Sequence, residues 1–255
     1  MRILKRSGVE VCRWQDWERP RDEHRQWVEG RSAMEIARTF FRADTPELPA
    51  PLRGLLASTE ATAGFVPEVA LPEFETYLPP PGSSGPRNHD VWVRGECGGV
   101  RVGLGIEAKA DEAFDGSLRA KERYAARRVA RGQATDMGQR LELLGRFLFG
   151  DAFDLSNPTY AALGYQLISG VAGTVIQAAA DGASVAVFVV YEFSSAKTKP
   201  VKQARNAAQL RTFFRLLCGE EATEVGQLVG PFEFPPSEFV SNPVALYLGK
   251  VVDEV

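Results

Sequence analysis

The sequence predicts a mixed α/β fold with a small core sheet flanked by helices. Three observations carry that prediction. Two alternating segments are joined by Gly98-Gly99, a strong two-residue hairpin signal. The run Ser184–Tyr191, SVAVFVVY, is apolar without interruption, as expected of a central strand buried on both faces. Between them Tyr160–Ala180 is rich in small residues and reads as a strong helix.

Taken in order, Asp22 to Ala43 reads as helix in two pieces broken at Gly30. The second piece opens with Ser32-Ala-Met-Glu35, the pattern of a capping box in which each side chain satisfies the other's backbone amide. Helix or turn punctuated by Pro46, Pro49 and Pro51 follows, then an extended stretch from Phe65 to Leu78. PPPGSSGPRNH, residues 79–89, is the clearest loop in the chain and is placed at the rim of a site. Strands are expected over Asp90–Gly95 and Val100–Lys109, and helix over Leu118–Gly150 with breaks near Gly132 and Gly138. After the buried strand, Val201–Leu217 forms an amphipathic helix, and a tail containing VALYLGKVV adds one or two edge strands.

Composition narrows the class. The chain has 255 residues, 44% hydrophobic and 25% charged, with a net charge of −3. Disordered, collagen-like and low-complexity classes do not match this balance. Apolar stretches are too short to span a bilayer, and MRILKRSGVE lacks a signal-peptide core, so no membrane partner and a cytoplasmic location are expected. Cys12, Cys97 and Cys218 form no CxxC pair, and residues 1–255 read as a single domain. Basic charge is regional. SLRAKERYAARRVARG holds Arg119, Lys121, Arg123, Arg127, Arg128 and Arg131 against Glu122, and Lys197, Lys199, Lys202 and Arg205 form a second cluster. Such runs are either solvated helix faces or a nucleic-acid footprint.

If Gly98-Gly99 is the turn, paired residues sum to 197 and the register follows. One face carries Cys97:Val100, Gly95:Val102, Val93:Leu104 and Val91:Ile106, an apolar set that belongs against a helix. The other carries Glu96:Arg101, Arg94:Gly103, Trp92:Gly105 and Asp90:Glu107, with Lys109 two residues beyond Glu107. Opposed carboxylates cost roughly 0.2–1 kcal/mol unless a cation sits between them. Lys109 supplies part of that charge, and a hard divalent ion would supply more. Gly103 and Gly105 leave the strand bare, so a ligand has room to approach the backbone. A solvated salt-bridge cluster on a half-wet sheet explains the same spacing.

An acid at the start of one strand, Asp90 in RNHDVWV, followed on the next by Glu107-Ala108-Lys109 in GIEAKADEAF, resembles the PD-(D/E)XK nuclease-like superfamily. The resemblance implies a restriction-endonuclease-like core of helix, three antiparallel strands, helix and strand over about residues 32–192, with N-terminal helical and C-terminal extensions. EGRSAMEIA, EAKADEAF and YQLISG at Tyr165–Gly170 are further similar to an uncharacterised bacterial subgroup, so the likeness covers most of the chain. His89 stands where the superfamily's named proline would precede the acid.

By that resemblance, Asp90 and Glu107 hold Mg²⁺, with Mn²⁺ as substitute, and the Ala108 carbonyl is a third ligand. Lys109 is then the catalytic cation, held charged by the acids beside it. Gln166 reaches the metal-bound water or phosphate, or is simply a helix-surface amide. Glu35 serves the capping box or an acidic role on the first helix, and His89 assists the site or ends the loop. His24 and the cysteines lack partners at catalytic spacing, and GGVRVGLG lacks the lysine and helix start of a phosphate-binding loop. The expected function is hydrolysis of phosphodiester bonds by a metal-dependent nuclease-like protein, with nucleic acid, DNA before RNA, as partner. The alternative is an inactive nuclease-fold protein that binds nucleic acid or serves assembly. No sequence-reading appendage is visible, which leaves specificity to a partner, a homodimer or loops.

Overall fold

The computed structural model describes residues 1–195, 198–219 and 225–255. Among these residues seven strands form one mixed sheet: β1 (Arg2–Ile3), β2 (Val66–Thr76), β3 (Arg87–Cys97), β4 (Val100–Lys109), β5 (Val185–Ser194), β6 (Leu228–Phe234) and β7 (Val244–Glu254). Their order is β1-β2-β3-β4-β5-β7-β6. β3 is antiparallel to both β2 and β4, and β5 lies parallel to both β4 and β7. Eight helices are present among the described residues: α1 (Glu23–Gln26), α2 (Ser32–Thr39), α3 (Ala50–Leu56), α4 (Leu118–Ala130), α5 (Met137–Phe149), α6 (Pro158–Ala161), α7 (Tyr165–Ala180) and α8 (Pro200–Cys218).

The sheet divides two cores. On one side Ile36 and Ala37 from α2, Phe40 just after it, and Leu52, Leu55 and Leu56 from α3 pack on Val91, Val93, Leu104, Ile106, Val187 and Val189. On the other, α5, α7 and α8 bring Leu144, Val171, Val175, Leu210 and Phe213 onto Trp92, Phe188, Val190 and Leu246. Each fully buried Leu or Phe contributes about 1.5–3 kcal/mol. β5 is apolar from Val185 to Tyr191 because both of its faces are covered, and its side chains alternate between the two cores.

Helix α7 lies close to the sheet because its residues are small. A Cβ at Gly170 would come within 2.7 Å of the Phe188 ring, and one at Gly173 within 3.3 Å of Arg87 and His89. Asp181, at the end of α7, accepts from Trp92 Nε1 at 2.9 Å and Arg94 Nε at 2.7 Å, which ties the helix to β3.

The turn at Gly98 and Gly99 has φ of 57° and 82°, the left-handed pair that a two-residue hairpin requires. Every β3–β4 pair from Cys97:Val100 to Val91:Ile106 follows the sum-of-197 register.

Several expectations are corrected. β3 begins at Arg87, so Arg87, Asn88 and His89 belong to a strand and not to the preceding loop. That loop is closed down by buried Arg140, which donates to the carbonyls of Leu78, Pro80 and Gly85. β7, which contains VALYLGKVV, is an inner strand, and β6 is the edge. Ser32 and Glu35 form no capping box. Glu35 Oε1 instead accepts from the Gly30 amide at 2.7 Å, and Glu112 receives the Ser32 amide. Gly103 and Gly105 are not open to a ligand. The Trp92 ring lies 2.6 Å from where a Gly103 Cβ would stand, and Thr174 Oγ1 fills the corresponding space at Gly105. Gly103 makes room for the Trp92 ring and Gly105 for α7.

Candidate active site

At the start of β3 and the end of β4, the alternation that orders the hairpin changes. The ladder runs to Val91 and Ile106, whose side chains face α2. Beyond it, the Asp90 side chain replaces a backbone partner: its Oδ2 accepts the Ala108 amide at 2.6 Å. The rings of His89 and Trp92 lie 5.6 Å apart on the α7 side, three positions apart in sequence, so the side-chain order shifts between them. Neighbouring β2 bends at the same level, with Glu73 at φ 52° between Pro72 (paired with Val91) and Phe74 (paired with His89). A left-handed glutamate is strained, and here it directs a carboxylate inward.

Glu107 is 1% exposed and both of its oxygens are engaged. Lys109 Nζ donates to Oε1 at 2.5 Å, and Arg87 Nη2 donates to Oε2. Burial works to raise the Glu107 carboxyl, but the Arg87 and Lys109 cations outweigh it and hold the group below the ordinary glutamate value. Burial likewise opposes the Lys109 charge, and Glu107 with Asp90 overcomes it, so the ammonium lies above the usual lysine value. Burial, and next the Glu107 charge, push Asp90 up to about 7. Burial and the Asp90 charge push Glu73 up to about 8, although Asn88 Nδ2 donates to it. His89 is fully buried, neither ring nitrogen has a hydrogen-bond partner among the described residues, and burial beside Arg87 holds its pKa well below the ordinary value.

Asp90, Glu107 and Lys109 are therefore brought together. Ala108 meets Asp90 through its amide, which donates to Oδ2. Gln166 stands at the first turn of α7 and its Oε1 accepts the Asp115 amide at 2.8 Å. It secures the loop that follows Lys109, and Glu35 remains with Gly30 and Arg38. Among the described residues, no group of three or more His, Cys, Asp and Glu side chains is gathered around a metal position.

Arg87, Glu73 and the buried state of His89 were not legible as site features. The available signal was Pro86: proline is tolerated at the first position of a strand, so RNH directly after it could extend the strand backward. Glu73 also lines a cleft of about 370 Å³ with Lys5, Arg6 and Arg94, and so belongs to both cleft and site.

The basic segment lies on α4. Arg123, Arg127 and Arg131 are exposed at helical spacing, beside Tyr124 at 53% exposure. Lys121 and Arg119 are instead tied to Asp115 and Glu122. In the second cluster Lys202 binds Asp111 at 2.9 Å, and Lys197 lies outside the described residues. No helix is long and apolar enough to cross a membrane among the described residues.

No curated protein and no solved structure matches the chain. Residues 11–255 match the family described as Domain of unknown function (DUF6946), and the chain belongs to that family.

Proposed function

We propose that this protein is a metal-dependent, nuclease-like phosphodiesterase acting on nucleic acid, DNA before RNA, and that its core is of the PD-(D/E)XK kind. The observation that carries the reading is the meeting of Asp90, Glu107 and Lys109 where β3 and β4 diverge, joined through the Ala108 amide and the 2.5 Å Lys109–Glu107 contact. With α3 inserted before β2 and α4 to α6 inserted after β4, the order α2, β2, β3, β4, α7, β5 supports the finer fold assignment, being helix, antiparallel three-strand unit, helix and strand.

The donor chemistry suits Mg²⁺ or Mn²⁺: hard carboxylate oxygens from adjacent strands, in a region where unneutralised charge is costly. Asp90 and Glu107 would hold the ion, which when bound polarises a phosphate and lowers the pKa of a water. Lys109 is a fixed cation, suited to gripping a phosphate oxygen or orienting a water more than to accepting a proton. Gln166 positions the 110–116 loop, and the α4 arginines offer phosphate contacts beyond the site.

One observation favours a second reading, an inactive nuclease-fold module that binds nucleic acid or serves assembly: both Glu107 oxygens already have cationic partners. Labelled single- and double-stranded DNA and RNA, incubated with Mg²⁺, separate the two. The first reading expects cleavage that is lost with EDTA and in Asp90→Asn and Lys109→Met. Binding without cleavage of any substrate would leave the second.

A further inference from the structure

Arg87 is the least expected member of the site and the one with the least secure place in it. Its side chain is 8% exposed against 1% for Glu107, so it is the outer partner of the pair. Its Nε is buried and has no hydrogen-bond partner among the described residues, which leaves the guanidinium only partly satisfied. Room for it is built into α7: a Cβ at Gly170 would stand 3.5 Å from Arg87 Nη2, and one at Gly173 would stand 3.3 Å from its Cγ. Each Glu107 oxygen already accepts from one cation, Oε1 from Lys109 and Oε2 from Arg87, so an ion approaching Oε2 meets the guanidinium. A divalent ion added to the intact trio would place two more positive charges beside two cations, against the Asp90 and Glu107 carboxylates.

We infer that Arg87 is the resident counter-ion of Glu107 and competes with a divalent cation for that carboxylate, so that cation binding and release of Arg87 are one exchange. The inference rests on the metal-dependent reading of the site. It assigns Arg87 a positioning role: it neutralises Glu107 until the ion arrives, and once released it is a guanidinium available to a phosphate, for which its planar fork is suited. Lys109 stays, because both cations act on Asp90 but Lys109 acts on it more strongly than Arg87 does.

Calorimetric titration with Mn²⁺ alone tests this on the full chain, comparing wild type, Arg87→Met, Arg87→Lys and Glu107→Gln. Methionine keeps the length and bulk of the stem without the charge. Arg87→Met is expected to bind Mn²⁺ at least ten-fold tighter than wild type, Arg87→Lys to tighten it less, and Glu107→Gln to lose it. Thermal melts give a second readout. In EDTA, Arg87→Met melts below wild type, and Mn²⁺ raises its melting temperature by more than it raises that of wild type.

Equal or weaker Mn²⁺ binding by Arg87→Met, with wild type still binding the ion, overturns the inference and leaves the metal-dependent reading in place. Absence of Mn²⁺ binding in both proteins at millimolar ion overturns the inference and the reading together. Binding in Arg87→Met with none in wild type supports the competition in its strongest form. If Arg87→Met does not fold, Arg87→Lys decides by the same direction of change.

Discussion

Lys109 Nζ lies 2.5 Å from Glu107 Oε1, two residues along the same strand and on the same side of the sheet. Both side chains are almost fully buried, at 6% and 1% exposure, so the contact is an interior ion pair and not a surface one. Interior pairs are costly to break on one side only, because the remaining charge has no water to turn to. Here the remaining charge would be shared with Arg87 alone.

Lys109→Met is therefore expected to lower stability by about 3 kcal/mol, at the lower end for a broken buried pair because Arg87 still neutralises Glu107. Urea denaturation of the two proteins at neutral pH measures it. A change below about 0.5 kcal/mol would mean that the pair is effectively solvated. Cleavage that survives in this variant would show that the chemistry lies elsewhere.

Gly105 tests the packing that closes the site from above. A Cβ there would collide with Thr174 Oγ1, a hydroxyl already donating to the Gly170 carbonyl at 2.8 Å. Gly105→Ala is expected to cost about 1–3 kcal/mol through overpacking. Thr174→Ala removes the obstacle, so the double variant should lose clearly less than the two single losses combined. Strict additivity would mean that the two positions do not touch.

The same glycine shows where sequence reading stops. Its spacing on β4 exposes a bare stretch of strand, but a bare strand admits a ligand or a helix equally well, and only the placement of α7 decides. The hairpin register was legible because Gly98 and Gly99 leave one low-strain turn and the side-chain period of two does the rest. Arg87 and His89 were hidden by the Pro- and Gly-rich residues before them, which read as loop until tertiary contacts, Arg140 above all, hold them in place. Glu73 was hidden for a different reason: an ordinary strand residue gave no warning of its φ of 52°. The inner position of β7 follows from the order in which strands add to the sheet, which local pattern does not encode.

Stability should depend on pH in a direction set by Asp90 and Glu73. Their pKa values in the folded chain are raised to about 7 and about 8, against about 4 for unfolded carboxyls. The folded state thus holds these protons more tightly, and their contribution is full below about pH 4 and lost as pH rises through 7 to 8. Glu107, held below its ordinary value, acts in the opposite sense and loses its contribution only in acid. Urea midpoints in EDTA should fall between about pH 5 and pH 8, and Asp90→Asn should flatten that fall. An unchanged slope in Asp90→Asn would place the titration on other groups.

On α4, replacing Arg123, Arg127 and Arg131 together by Gln should leave melting within about a degree of wild type, since the three side chains are exposed. Affinity for a short DNA duplex should drop, and the slope of log affinity against log salt should shrink by about 0.9 for each phosphate contact removed. A slope identical to wild type would assign this helix face to solvent alone.

The most direct test of the site is anomalous scattering from crystals soaked in Mn²⁺. The account predicts a single strong peak within coordination distance of both Asp90 and Glu107, absent from crystals of Glu107→Ala treated in the same way. Crystals whose site is open to the soak and which show no peak there at millimolar Mn²⁺, or a peak that persists in Glu107→Ala, would contradict it.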